Sequence, residues 1–139
     1  MNTARQQHAG FGTQTAALAS TGSTATGQVA LVEEYDGSSW TEVNNVSTAR
    51  AGLAGGGIQT AGLIFGGLTS APALTGATES YDGTNWTTTS SMATARRILG
   101  GAVSAPNTAG LGFGGYGPTT AATEEFTGAF NAVETLTTS

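Results

Sequence analysis

Arg5, Arg50 and Arg96 recur at steps of 45 and 46, and Glu33, Glu79 and Glu124 recur at steps of 46 and 45. Two chemistries are open to such a set. The charges can form a ring around a pore, or each glutamate can pair with an arginine of the same or the next repeat, which buries both safely. One charge of each sign per repeat is what pairing predicts. Adjacent carboxylates also occur, at Glu33-Glu34 and Glu124-Glu125. Neighbours on a strand point to opposite faces, so neither pair by itself makes a glycosidase site. His8 is the only histidine, and cysteine is absent. A Ser-His-Asp triad or a zinc site needs more than that. Gly55-Gly56-Gly57 lacks the lysine and the following helix of a phosphate loop. No catalytic set, metal or cofactor is expected, and the chain reads as non-enzymatic.

The elements that must hold these residues are repeats. Tyr35, Tyr81 and Phe126 keep the same step, and Trp40 and Trp86 are 46 apart. A period of this size marks a repeat architecture. The expected repeats run about 2–46, 47–92 and 93–139, within a single repeat domain. Each breaks into four short β-like segments between turn signals. In the central repeat these are 51–57, 61–67, 77–81 and 86 to about 90. The second alternates cleanly, with Ala61, Leu63 and Phe65 on one face and Gly62, Ile64 and Gly66 on the other. Gly66-Gly67 and Gly114-Gly115 end such segments, whereas the first repeat has Ser20-Thr21-Gly22 there. Asp36-Gly37 and Asp82-Gly83 are hairpin turn signals. In the third repeat Thr127 replaces the Asp, and Phe130 sits near the slot of the missing Trp.

Composition narrows the partners. Charged residues make 9% of the chain, the net charge is −5, and lysine is absent. A nucleic-acid binder needs a basic stripe to neutralise phosphates, so nucleic acid is not an expected partner. No apolar run approaches a membrane span. The N-terminus lacks the charged-then-apolar pattern of a signal peptide.

The Gly66-Gly67, Tyr81-Asp82 and Trp86 series resembles the kelch repeat. A Gly-Gly pair ends the second strand, a Tyr-Asp turn follows, and a Trp comes a few residues later. The resemblance implies an all-β, kelch-like β-propeller with three four-stranded blades per chain. Propellers have about four to eight blades, so completion by oligomerisation is expected, two chains giving six blades. A trimeric assembly or docking on a larger protein is the alternative. The wording of the repeats is also similar to kelch-like repeat proteins of marine bacteriophages, in tail-fibre and virion structural genes. That likeness implies a non-enzymatic phage virion structural protein: a tail fibre, spike or capsid-surface appendage on the particle surface. The expected partners are the chain itself as a homo-oligomer, other virion proteins, and a host-surface glycan for adhesion. An intracellular kelch-type protein-interaction module is the alternative. A sialidase-type Asp box fits less well, because Asp and Gly are adjacent here.

The loops after the Gly-Gly slot differ while the framework repeats, and rigid scaffolds carry recognition on such loops. Leu68, Pro72, Leu74 and Tyr116 are the ligand-binding candidates, with ordinary connections or subunit contacts as the other reading. Repeated Trp and Tyr side chains are expected to fill space between blades, with the tyrosine hydroxyl dispensable.

Overall fold

In the computed structural model, residues 1–104, 107–118 and 121–127 are described, together with the backbone of 132–136. Each repeat supplies one four-stranded antiparallel sheet. Sheet 1 holds β1 (Ala9–Gly12), β2 (Ala17–Ser20), β5 (Val32–Tyr35) and β6 (Trp40–Val43), with the short hairpin β3 (Ser23–Thr24) and β4 (Gly27–Gln28) inserted. Next come β7 (Arg50–Ala51) and sheet 2, made of β8 (Ala54–Ile58), β9 (Ala61–Phe65), β11 (Thr78–Tyr81) and β12 (Trp86–Thr89). The short strand β10 (Leu68–Thr69) pairs with β7. Sheet 3 holds β13 (Gly100–Ser104), β14 (Ala109–Phe113), β15 (Thr123–Thr127) and β16 (Ala132–Leu136). The chain is thus all-β and built from multi-stranded sheets, consistent with a fold of β-propeller type.

The first strand of each sheet packs on its neighbour, β1 against β8 and β8 against β13. Sheet 2 therefore lies between the other two. Alternation along β9 divides its side chains between two cores. Ile64 joins Leu18, Val32 and Tyr81 on the sheet 1 side. Leu63 and Phe65 join Leu99 and Phe126 on the sheet 3 side. Burying each such side chain contributes roughly 1.5–3 kcal/mol. The expected alternation holds over Ala61–Phe65, where the strand ends; Gly66 and Gly67, at φ 72 and 114, lie in the turn beyond it. Glycine at position 62 has a packing cause, since a Cβ there would lie 2.2 Å from the Phe11 ring.

The first segment of the central repeat departs from its expected bounds. Residues 51–57 do not form one strand. Arg50-Ala51 pairs with β10, Gly52 turns at φ +67, and the sheet strand begins at Ala54. The first repeat keeps the turn geometry without its glycine. Thr21 has φ 61, against 72 at Gly66 and 62 at Gly114. Phe130 lies outside the described residues.

The Asp-Gly turns are closed by their carboxylates. Asp36 Oδ1 accepts from Ser38 N and Ser39 N at 2.9 and 2.8 Å. Asp82 Oδ1 accepts from Thr84 N and Asn85 N at 2.9 and 2.7 Å. The backbone donors of Ser39 and Ser38 hold the Asp36 carboxyl down at about 2. A depressed pKa contributes stability above the unfolded value, which is lost as pH falls through the folded one. Urea melts of Asp36→Ala and the native chain are expected to differ at pH 6. That gap should narrow as pH falls from 3.8 to about 2.

Candidate functional site

The repeated charges are paired, each within its own repeat. Arg5 Nη1 lies 3.8 Å from Glu33, Arg50 Nη1 2.9 Å from Glu79, and Arg96 Nη1 3.3 Å from Glu124. None of these side chains is more than 1% exposed, so they do not line an open pore. Burial lowers the pKa of Arg5 and Arg50, and the facing glutamates raise it back in part. The carboxylates also tie down the backbone that opens each repeat. Glu33 accepts from Asn2 N and Thr3 N, Glu79 from Ser47 N, and Glu124 from Ala93 N and Thr94 N. This is a structural device.

Trp86 stacks on Tyr81 with ring centroids 4.8 Å apart, and Trp40 tilts over Tyr35 at 5.2 Å. Both tryptophans are half-buried. Each covers the tyrosine of its own hairpin rather than filling the space between sheets alone. The hydroxyl has a job at one of these slots. Tyr81 Oη donates to Glu34 in sheet 1 at 2.9 Å. Burial, then the hydrogen bond and charge of Glu34, raise the Tyr81 pKa above the usual tyrosine value. Phe126 can replace tyrosine because the facing slot holds Ser80, whose hydroxyl accepts from Asn107 Nδ2 instead.

One edge of the stack carries the variable residues. After each buried arginine the chain makes the same bridge to the loop that follows the second strand. The partners are Gln6 with Ser23, Ala51 with Leu68, and Arg97 with Tyr116. The backbone repeats and the side chains do not. In the third repeat the Arg97 guanidinium stacks over the Tyr116 ring, 5.1 Å from its centroid. Among the described residues, Arg97 is the arginine outside the three buried pairs. Tyr116 and Ile98 are each 62% exposed. Ile98 also lines a hollow of about 360 Å³ shared with Gln7, His8, Gly52, Leu53 and Leu99. Burial, then the charge of Arg5, lowers the His8 pKa, so this imidazole is neutral at pH 7. The rim offers a half-buried cation, an exposed ring and an apolar wall. A guanidinium takes a carboxylate in a charge-assisted contact.

Of the loop residues expected to bind a ligand, Leu68 and Leu74 bridge each other and are half-buried, Pro72 is exposed, and Tyr116 stands on a different loop beside Arg97. Sequence reasoning missed Arg97, Ile98 and Gln7. Their signal is variation in the slots just after the repeated arginine, Gln6-Gln7, Ala51-Gly52 and Arg97-Ile98. Among the described residues, no group of three His, Cys, Asp or Glu side chains is placed to hold a metal ion.

Layered antiparallel sheets joined side by side make the chain all-β, consistent with a fold of β-propeller type. Among solved structures the chain is similar to YjhT, with a TM-score of 0.77 and 14% identity over 97% of this chain and 46% of that one. The chain spans about half the length of YjhT. No protein-family model matches it, and no curated protein does.

These findings correct the reading of origin. The likeness is to YjhT, not to a kelch-like phage tail-fibre or virion structural protein. The expected virion role goes with it, as do host adhesion, the particle-surface location, and the virion and glycan partners. The alternative of an intracellular interaction module rested on the same likeness and is not kept. The expectation of a non-enzymatic chain goes too, on the likeness to YjhT; the fold by itself does not decide activity. The error has a physical source. Gly-Gly turns and Asp-Gly hairpins suit the positive-φ turns of such sheets. They reflect backbone geometry rather than the source of the protein.

Proposed function

We propose that this chain is one repeat domain whose three sheets are blades of a propeller, completed to six by a second chain, and that it binds a small anionic ligand at its rim. Two facts support the architecture: the sheets stack side by side through their first strands, and the chain spans 46% of YjhT. The observation that carries the function is the Arg97–Tyr116 stack, next in the chain to Ile98, which lines the hollow. The ligand class follows from the chemistry. A carboxylate meets the guanidinium edge, and a flat ring packs on Ile98 and Tyr116.

Benzoate is the probe, titrated while the methyl signals of Ile98 and Ile64 are followed by NMR. Saturable shifts at Ile98, with the buried Ile64 unmoved, are the expected result. Arg97→Gln and Tyr116→Ala should each weaken binding at least about tenfold, the size of a lost charge-assisted or stacking contact. Shifts that never saturate, or saturate equally in both variants, would sink the proposal.

A further inference from the structure

The two outer flanks of the stack are complementary to each other, and the junctions inside the chain set the pattern. At both junctions the later sheet reaches back in the same ways. At the rim, Gly52 N–H donates to Gln7 O at 2.9 Å, and Ile98 N–H donates to Gly52 O at 2.6 Å. At the other end of the strands, the turn before the second strand acts as a clasp. Gln59 Nε2 donates to Ala17 O and Tyr35 O at 3.2 and 2.9 Å. Asn107 Nδ2 does the same to Gly62 O and Tyr81 O at 3.1 and 2.9 Å. Between these ends large side chains of the earlier sheet cover glycines of the later one: Phe11 over Gly62, Leu63 over Gly110 and Phe65 over Gly112. Tyr81 reaches back across the first junction to Glu34.

The outer flanks hold the unmatched halves of this pattern. On sheet 1, Gln7 has an N–H in the slot of Gly52 and Ile98. Gln14 occupies the slot of Gln59 and Asn107, and Tyr35 that of Tyr81. On sheet 3, Ile98 O stands in the slot of Gly52 O, and the carbonyls of Gly110 and Phe126 repeat those of Ala17 and Tyr35. Glu125 takes the slot of Glu34, opposite Leu111 as Glu34 is opposite Leu18. Leu111 stands half-exposed in the slot of Leu63, and Phe113, 43% exposed, in that of Phe65. Leu111 borders a hollow of about 520 Å³ that Glu125 also lines.

We propose that the sheet 3 flank of one copy receives the sheet 1 flank of a second copy, head to tail, and that an identical second junction closes the pair. This pairing rests on the two-chain reading above and adds its contacts. Gln14 clasps Gly110 O and Phe126 O, Gln7 N–H meets Ile98 O, and the Tyr35 hydroxyl meets Glu125. A head-to-tail contact makes a ring only when its rotation closes. That the chain covers 46% of YjhT fits two copies making one larger fold.

The test uses light scattering on the whole chain and two variants, one for each flank. In the single chain a Cβ at Gly10 finds its nearest neighbour at 3.8 Å. At the matching Gly55 and Gly101 it would come within 3.3 Å of Ala9 and 3.0 Å of Ala54 in the sheet before. Gly10→Arg therefore fits the free chain and blocks the junction. Leu111→Arg does the same from the other side. The native chain is expected at the mass of two copies. Each variant should sit at the mass of one, with native circular dichroism and an apparent Kd raised at least about 100-fold. A native mass of one copy at every concentration overturns the two-chain reading itself. A dimer that survives either substitution overturns the head-to-tail pairing alone.

Discussion

Arg50→Ala is expected to destabilise the chain by about 3–5 kcal/mol, the usual loss when one partner of a buried ion pair is removed. The guanidinium is fully buried and donates to Glu79 at 2.9 Å. Without it, a carboxylate 1% exposed is left with the Ser47 N–H as donor. That is a large part of the roughly 5–15 kcal/mol that holds a typical domain together. Chemical denaturation would show it as a lower midpoint at unchanged slope. The pair itself is a different matter, because an ion pair in the interior gains little over well-packed neutral groups. Arg50→Met combined with Glu79→Gln keeps an oxygen for the Ser47 N–H and removes both charges. The double variant is expected to recover more than half of the loss. If the double variant is as unstable as Arg50→Ala, the charges themselves hold the repeat together, and the role of the pair as a backbone tie fails.

Much of the sheet arrangement was legible because two periods coincide in the sequence. The 45–46 step of Arg, Glu and Tyr matches the spacing of the three four-stranded sheets, and two-residue alternation marked the strand Ala61–Phe65 with its two buried faces. The Arg–Glu pairing was legible from one charge of each sign per repeat. The rim site was not. Gln6, Ala51 and Arg97 share a backbone slot but no chemistry, so a search for recurring residues passes over them. The stack of Arg97 on Tyr116 joins residues 19 apart in the chain, and only the bridge between their backbones brings them together. The role of the Tyr81 hydroxyl was hidden for a related reason. Phe126 made it look dispensable, whereas the change from Tyr to Phe accompanies the change from Glu34 to Ser80 on the facing sheet. Source and role were the least legible, because the Gly-Gly and Asp-Gly residues that suggested a phage protein serve turn geometry.

Phe65→Ala should be comparably damaging, at about 3–5 kcal/mol. The ring is fully buried and lies 4.8 Å from that of Phe126. Its surroundings explain why the upper part of the range is expected. A Cβ added at Gly101 or Gly112 would come within 3.0 or 2.9 Å of this ring, so backbone of β13 and β14 forms its walls. A hydrogen-bonded ladder cannot collapse into the space that alanine leaves, and the cost of a cavity grows with the volume that stays empty. Phe113 offers the control, since it occupies the same slot one repeat later but is 43% exposed. In a chain held as a single copy by Gly10→Arg, Phe113→Ala is expected to cost less than about 1 kcal/mol. In the native chain the same substitution should weaken the two-copy species, because the proposed junction buries Phe113 as the second junction buries Phe65. Equal losses for Phe65→Ala and Phe113→Ala in the single-copy background would mean that sheet 3's outer flank is already covered within one chain. The head-to-tail junction would then have no face to occupy.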